Sequence, residues 1–186
     1  MKRLFDIILA AFCLMVLALP MALIAFLVKA TSRGPVLYWS DRVGKDNKLF
    51  RMPKFRTMRL DVPEVATHLL AQPDRYVTPL GRFLRLSSLD ELPQLYTILK
   101  GDMSFVGPRP ALHNQNDLVA LRTSKGVHRL VPGLTGWAQV NGRDELSIPD
   151  KVGFDAFYLA RQSFWLDLKI LFLTGLRVLS RSGVDH

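Results

Sequence analysis

The chain has 186 residues, enough for one domain with an appendage, and 49% of them are hydrophobic, ample for a core. Lys and Arg number 25 against 16 Asp and Glu, and the resulting +9 charge favours an anionic partner: nucleic acid, anionic lipid or a phosphate ester. The single cysteine, Cys13, excludes an internal disulfide and a cysteine-built zinc site, and His68, His113, His128 and His186 show no metal-ligand spacing.

Leu4 to Val28 is apolar except for Asp6 and contains one proline, Pro20. A bilayer crossing needs about 20 residues, so the run is long enough. It is too long for a cleaved signal peptide and lacks a small-x-small site at its end. Lys2 and Arg3 precede it, Lys29 and Arg33 follow it, and residues 29–61 hold nine Lys or Arg against three Asp. Positive charge on both flanks places both ends on the cytoplasmic side. A helix that enters, breaks near Leu19-Pro20 and returns satisfies this, with Pro20 removing one hydrogen bond at the bend. A kinked transmembrane helix is the alternative, since such helices tolerate proline.

Residues 35–59 mix β-prone runs with turn residues at 44–47, which predicts a small hairpin. Tyr38 and Trp39 fit either a headgroup-level position or a core. Residues 61–78 form a polar, proline-containing excursion with room for a short helix.

Residues 80–100 read as helix interrupted at Pro93, and within them lies the carboxylate pair Asp90-Glu91. Adjacent acids can divide labour, one as nucleophile and the other holding a metal or moving a proton. The same residues also fit a capping box, Ser88-x-x-Glu91, with acids favoured in the first turn of a helix.

Cations follow on rigid loops. Arg109 stands inside Gly107-Pro108-Arg109-Pro110, and Arg143 follows the turn signal Asn141-Gly142. Earlier, Lys54 and Arg56 are two apart, so an extended backbone would point both the same way. Arginine suits a bidentate grip on phosphate oxygens, whereas a solvated basic face towards anionic headgroups is the plainer use of such charges. Residues 111–128 are helix-compatible. From Pro149 to Ser180 the pattern is helical and amphipathic, with Leu168, Leu171, Phe172, Gly175, Leu176 and Leu179 on one face. Asp167, Thr174, Arg177 and Arg181 fall elsewhere on the wheel. A helix lying in the membrane interface and an ordinary core-facing helix both fit.

Five blocks in order carry a resemblance over nearly the whole chain: Lys54 to Met58, Leu80 to Arg85, Leu89 to Leu95, Leu99 to Pro110, and Pro132 to Arg143. Together they resemble the small monotopic bacterial phosphoglycosyl transferases, the bacterial sugar transferase family. The resemblance implies a mainly helical α+β fold with a re-entrant N-terminal membrane helix that breaks at Pro20, a small β-hairpin and interfacial amphipathic helices. Residues 1–33 would form the membrane helix and its flanks, and 34–186 the catalytic domain on the cytoplasmic face of a bacterial inner membrane. Larger relatives carry transmembrane helices ahead of this domain, so the chain resembles the minimal form.

The implied reaction moves a phosphosugar from a UDP-sugar to polyprenol phosphate, releasing UMP with magnesium as cofactor, as a first membrane step of glycoconjugate assembly. By the same resemblance Asp90 is the nucleophile that becomes covalently phosphorylated, Glu91 is its partner, and both are the metal candidates. The substrate-binding candidates are Lys54, Arg56, Arg85, Arg109, Gln139, Asn141 and Arg143. A non-catalytic basic protein of the membrane surface would explain the charge but not an acid pair set among rigid Arg-bearing loops. Nucleic-acid binding lacks interleaved aromatics and any recognisable module.

Overall fold

The computed structural model describes residues 1–59, 76–142 and 145–180. The fold is mainly helical with a little sheet. Helix α1, Lys2–Thr31, is one unbroken helix of 30 residues, about 45 Å at 1.5 Å per residue. Among the described residues it is the one helix long and apolar enough to cross a membrane. It does not end at Leu19-Pro20 as expected; Pro20 sits inside it. A single proline removes one hydrogen bond, and the turns on either side propagate regardless.

One stripe of α1 packs on the rest of the chain. Asp6, Ala10, Ile24 and Val28 are buried along it, at spacings of three to four residues or multiples of them. Ala10 joins the main core beside Leu95, Ile98, Met103 and Phe105. Ile24 and Val28 join a second cluster with Phe55 and Leu84. The opposite side exposes Leu4, Ile8, Phe12, Met15, Leu19, Leu23 and Phe26. Both ends are tied to the same body. Arg3 donates to the carbonyls of Ile98 and Leu99. Lys2 pairs with Asp167 at 2.6 Å. Asp6, the one charge in the apolar run, accepts from the Phe105 amide at 3.2 Å. At the far end Arg56 donates to the carbonyl and hydroxyl of Ser32.

The predicted hairpin is present: β1, Leu37–Val43, pairs antiparallel with β2, Leu49–Phe55, around a turn at Lys45–Asn47. Tyr38 and Trp39 are both exposed on β1, and the Arg51 guanidinium stacks over Trp39. The stretch expected as helix with one interruption resolves into α2, Pro79–Leu86, a 3₁₀ turn over Leu89–Gln94, and α3, Leu95–Lys100. Thr78 caps α2, its hydroxyl accepting from the Gly81 amide with Pro79 in the first turn. Strand β3, Ser104–Val106, pairs in parallel with β5, Gly133–Thr135. Between them β4, Ala111–Leu112, joins the edge of β1, and α4 spans Asn116–Ser124. Residues 111–128 are therefore strand, helix and turn rather than one helix. Most of the 61–78 excursion lies outside the described residues.

The single amphipathic helix expected over 149–180 is two helices, α5 (Ile148–Arg161) and α6 (Phe164–Ser180). Part of α6 is inverted relative to a core-facing helix. Asp167 and Ile170 are buried and Thr174 and Arg177 half-buried, while Phe172 and Leu176 are exposed. The outward apolar face fits the interfacial reading. The inward polar groups have partners: Tyr158 donates to Asp167 at 2.6 Å, and Thr135 bonds Thr174 at 2.7 Å.

Candidate active site

The acid pair is presented by an unusual backbone. After α2 ends, Ser88 adopts the left-handed conformation, φ 56° and ψ 16°, a cost of order 1–3 kcal/mol for a non-glycine residue. The chain reverses there into the 3₁₀ turn, whose second and third residues are Asp90 and Glu91. The capping-box alternative fails. Ser88 makes no side-chain cap, and the Glu91 carboxylate is committed elsewhere.

That commitment is to two cations from distant segments. Lys54, on β2, donates to Glu91 Oε1 at 2.7 Å, and Arg109 Nη2 donates to the same oxygen at 2.9 Å. Lys54 Nζ also stands 3.8 Å from Asp90 Oδ2. Burial would push the Glu91 carboxyl up, but Arg109 and Lys54 overcome it and hold it well below the usual carboxylate range. Asp90 goes the other way. Burial, helped by the Glu91 charge, raises it, while Lys54, Arg85 and Arg109 oppose the rise without cancelling it. Two adjacent carboxyls are thus split in proton affinity, the pattern expected where two acids take different roles.

Arg109 is aimed by backbone stacking. A Cβ at Gly107 would lie 2.3 Å from the Val131 carbonyl oxygen, and one at Gly136 would lie 2.1 Å from the Gly107 carbonyl oxygen. Only glycine permits the 107–110 and 132–136 loops to lie so close together. Beside the pair opens a cavity of about 250 Å³. Its lining includes the polar Glu91, Arg109, Thr135, Gln139, Thr174 and Arg177 and the apolar Leu86, Leu92, Phe105, Leu171 and Val178.

The structure therefore brings together Asp90, Glu91, Lys54 and Arg109, with Arg85 close enough to influence Asp90 and Gln139 on the cavity wall. Gln139 Oε1 is buried with no partner among the described residues. Arg56 does not join them. The strand ends at Phe55, and the Arg56 guanidinium goes to Ser32 at the end of α1. Asn141 is exposed and donates to the Trp137 carbonyl. Arg143 lies outside the described residues. Arg177, set apart from the apolar face of its helix in the sequence, shares the cavity with Arg109. Sequence reasoning passed over Arg122, whose buried pairing with Asp155 leaves no local signature in a helical stretch.

As metal donors Asp90 and Glu91 fit magnesium, which usually takes one or two carboxylates and completes its shell with water and substrate phosphates. Both cations meet Glu91 at Oε1, so Oε2 is the oxygen available to a metal. Among the described residues no third His, Cys, Asp or Glu completes an all-protein site.

Residues 1–181 match the family model described as bacterial sugar transferase. The chain is 41% identical, over 93% of its length and 35% of the relative's, to an undecaprenyl-phosphate glucose phosphotransferase of Komagataeibacter xylinus. It is 36% identical to an undecaprenyl-phosphate galactose phosphotransferase of Salmonella typhimurium, covering 98% of this chain and 41% of that one. An uncharacterized sugar transferase of Bacillus subtilis is 42% identical, with 100% and 91% covered. The chain thus spans well under half the length of the two phosphotransferases.

Proposed function

The chain belongs to the bacterial sugar transferase family, and from that premise we propose that it transfers a sugar-1-phosphate from a UDP-sugar to polyprenol phosphate at the cytoplasmic face of a bacterial inner membrane. Relatives named for glucose and galactose transfer to undecaprenyl phosphate support the substrate classes. The observation that carries the reading is the split acid pair bound by Lys54 and Arg109, with Glu91 and Arg109 lining a cavity of mixed cationic and apolar character.

In the first displacement the Asp90 carboxylate attacks the phosphorus that bears the sugar. The bond from that phosphorus to the bridging oxygen breaks, and UMP leaves with the electron pair. In the second, an oxygen of the lipid phosphate attacks the same phosphorus and regenerates the carboxylate, leaving a lipid-linked diphosphosugar. Asp90 must be ionised to attack. Lys54 at 3.8 Å favours that state against the burial that disfavours it. Arg109 and Lys54 keep Glu91 ionised and add positive charge where the diphosphate must lie. Magnesium held by Asp90 and Glu91 would neutralise further phosphate charge.

Membrane placement is part of the proposal. Helix α1 exposes an apolar face, its two ends are held by one body, and α6 turns Phe172 and Leu176 outward. An unbroken helix held at both ends by the same domain would keep both ends on one side of the bilayer by lying along its face, without the return at Pro20 that the sequence suggested. The test is UMP release from a panel of UDP-sugars with polyprenol phosphate in nanodiscs. Release with at least one sugar, dependent on the lipid phosphate for net turnover, is expected; no release with any refutes the reading.

A further inference from the structure

We infer that Arg122, backed by Asp155, is a positioning residue that aims Arg109 at the acid pair by holding the backbone of the Pro108-Arg109-Pro110 loop. The loop's composition sets the problem. Two of its three residues are prolines, which lack an amide hydrogen, so the segment can donate little to its surroundings. It can be fixed chiefly through its carbonyls, and all three are taken. The Gly133 amide donates to the Pro108 carbonyl at 2.9 Å. Arg122 Nη1 donates to the Arg109 carbonyl at 2.8 Å. Arg42 Nη1 donates to the Pro110 carbonyl at 3.3 Å. The donors come from β5, α4 and β1, so three separate elements converge on one short loop.

Arg122 is the central and best-supported of the three. It is buried, and its Nε and Nη2 both grip Asp155 Oδ2, at 2.9 and 2.7 Å. Asp155 is buried on α5, so the guanidinium is fixed from behind and presents Nη1 to the loop. This uses the planar fork of arginine, which lysine cannot copy, since one ammonium cannot hold the carboxylate and the carbonyl in the same geometry. A charge pair buried away from the cavity thereby sets the direction of a side chain within it. Neither residue lines the cavity, so Arg122 acts through Arg109.

This inference rests on the proposed function for its kinetic test but not for its structural one. Arg122→Lys keeps a positive charge beside Asp155 and limits the loss of stability. In hydrogen–deuterium exchange, the peptide over residues 103–115 of Arg122→Lys should exchange about tenfold faster, with α1 and α3 unchanged. In UMP-release kinetics, Arg122→Lys should lose about tenfold in kcat/KM, divided between kcat and KM in the proportion seen for Arg109→Ala. Added to Arg109→Ala it should cost less than about twofold more, since residues that act through one another are not additive. Unchanged exchange in that peptide, or additive losses in the double variant, overturns the inference. If the unmodified protein releases no UMP, the proposed function falls, and the exchange measurement still decides the positioning role.

Discussion

Removal of Arg109 probes the pair of cations on Glu91. Arg109→Ala deletes the guanidinium that bonds Glu91 Oε1 at 2.9 Å. The gross Coulomb energy of that pair is about 6 kcal/mol at an effective dielectric of about 20. The net effect is smaller for two structural reasons. Lys54 remains on the same oxygen at 2.7 Å, and a third of the Arg109 side chain faces solvent, where the charge is already screened. A charge-assisted bond in that setting is worth about 1.5–3 kcal/mol, about ten- to a hundredfold in kcat/KM.

The same variant has a predicted pH signature. Arg109 and Lys54 hold the Glu91 carboxyl below the usual range, so its ionised form contributes stability above that range, and the contribution fades as pH falls. Without Arg109 the carboxyl rises, and part of that contribution disappears. The difference in unfolding free energy between the parent and Arg109→Ala should be flat near neutrality and shrink as pH falls below the ordinary carboxylate range. UMP release measures the kinetic effect, and urea unfolding in detergent at several pH values measures the other. A kinetic loss under about threefold, or a stability difference that grows on acidification, would refute the reasoning.

Asp90→Asn should abolish turnover while membrane association survives, because an amide cannot form the acyl phosphate; turnover near the parent rate would remove Asp90 as nucleophile. The acid limb of the pH–rate profile should lie above the usual carboxylate range. It should move further up in Lys54→Met and down in Glu91→Gln, since Lys54 lowers and Glu91 raises the Asp90 carboxyl; shifts of the same sign in both would contradict the arrangement. Arg177→Ala should lose about tenfold or more, whereas Arg161→Ala, on an exposed residue stacked over Phe157, should stay near the parent rate, and equal small losses would point to generic surface charge. Leu4→Cys and Lys125→Cys, each in a Cys13→Ser background, should both be shielded from a periplasmic thiol reagent in intact cells; a labelled residue 4 would mean that α1 crosses the bilayer.

What could be read from the sequence was local. The hairpin announced itself by β-prone runs around Asp46-Asn47, and both residues do take positive φ in the turn. The acid pair was visible as a pair, but its ambiguity with a capping box could not be settled locally. The deciding bonds join Glu91 to residues 37 positions earlier and 18 later. Lys54 and Arg56 look equivalent in sequence, yet the strand stops between them, and only Lys54 reaches the acids. Arg122 and Asp155 are 33 residues apart, and nothing at either position marks the pairing.

The helical wheel left one question open for a more general reason. Spacing put Phe172 and Leu176 on an apolar face of α6, and both are exposed, but it could not say what medium that face meets, and Leu171 of the same set lines the cavity instead. In a water-soluble domain Phe172 and Leu176 would turn inward, and Asp167, Thr174 and Arg177 would turn out. Here the assignment is reversed, and α1 repeats it by burying Asp6 while exposing Leu19 and Phe26. Such a reversal is stable only if the outer medium is as apolar as the exposed side chains and the inner polar groups are paired, as they are through Lys2, Tyr158 and the Phe105 amide. It also has a chemical consequence. The helix that exposes Phe172 on one side offers Thr174 and Arg177 to the cavity on the other, so under the proposed function an acceptor anchored in the bilayer would move its phosphate past only one helix to reach Glu91 and Arg109.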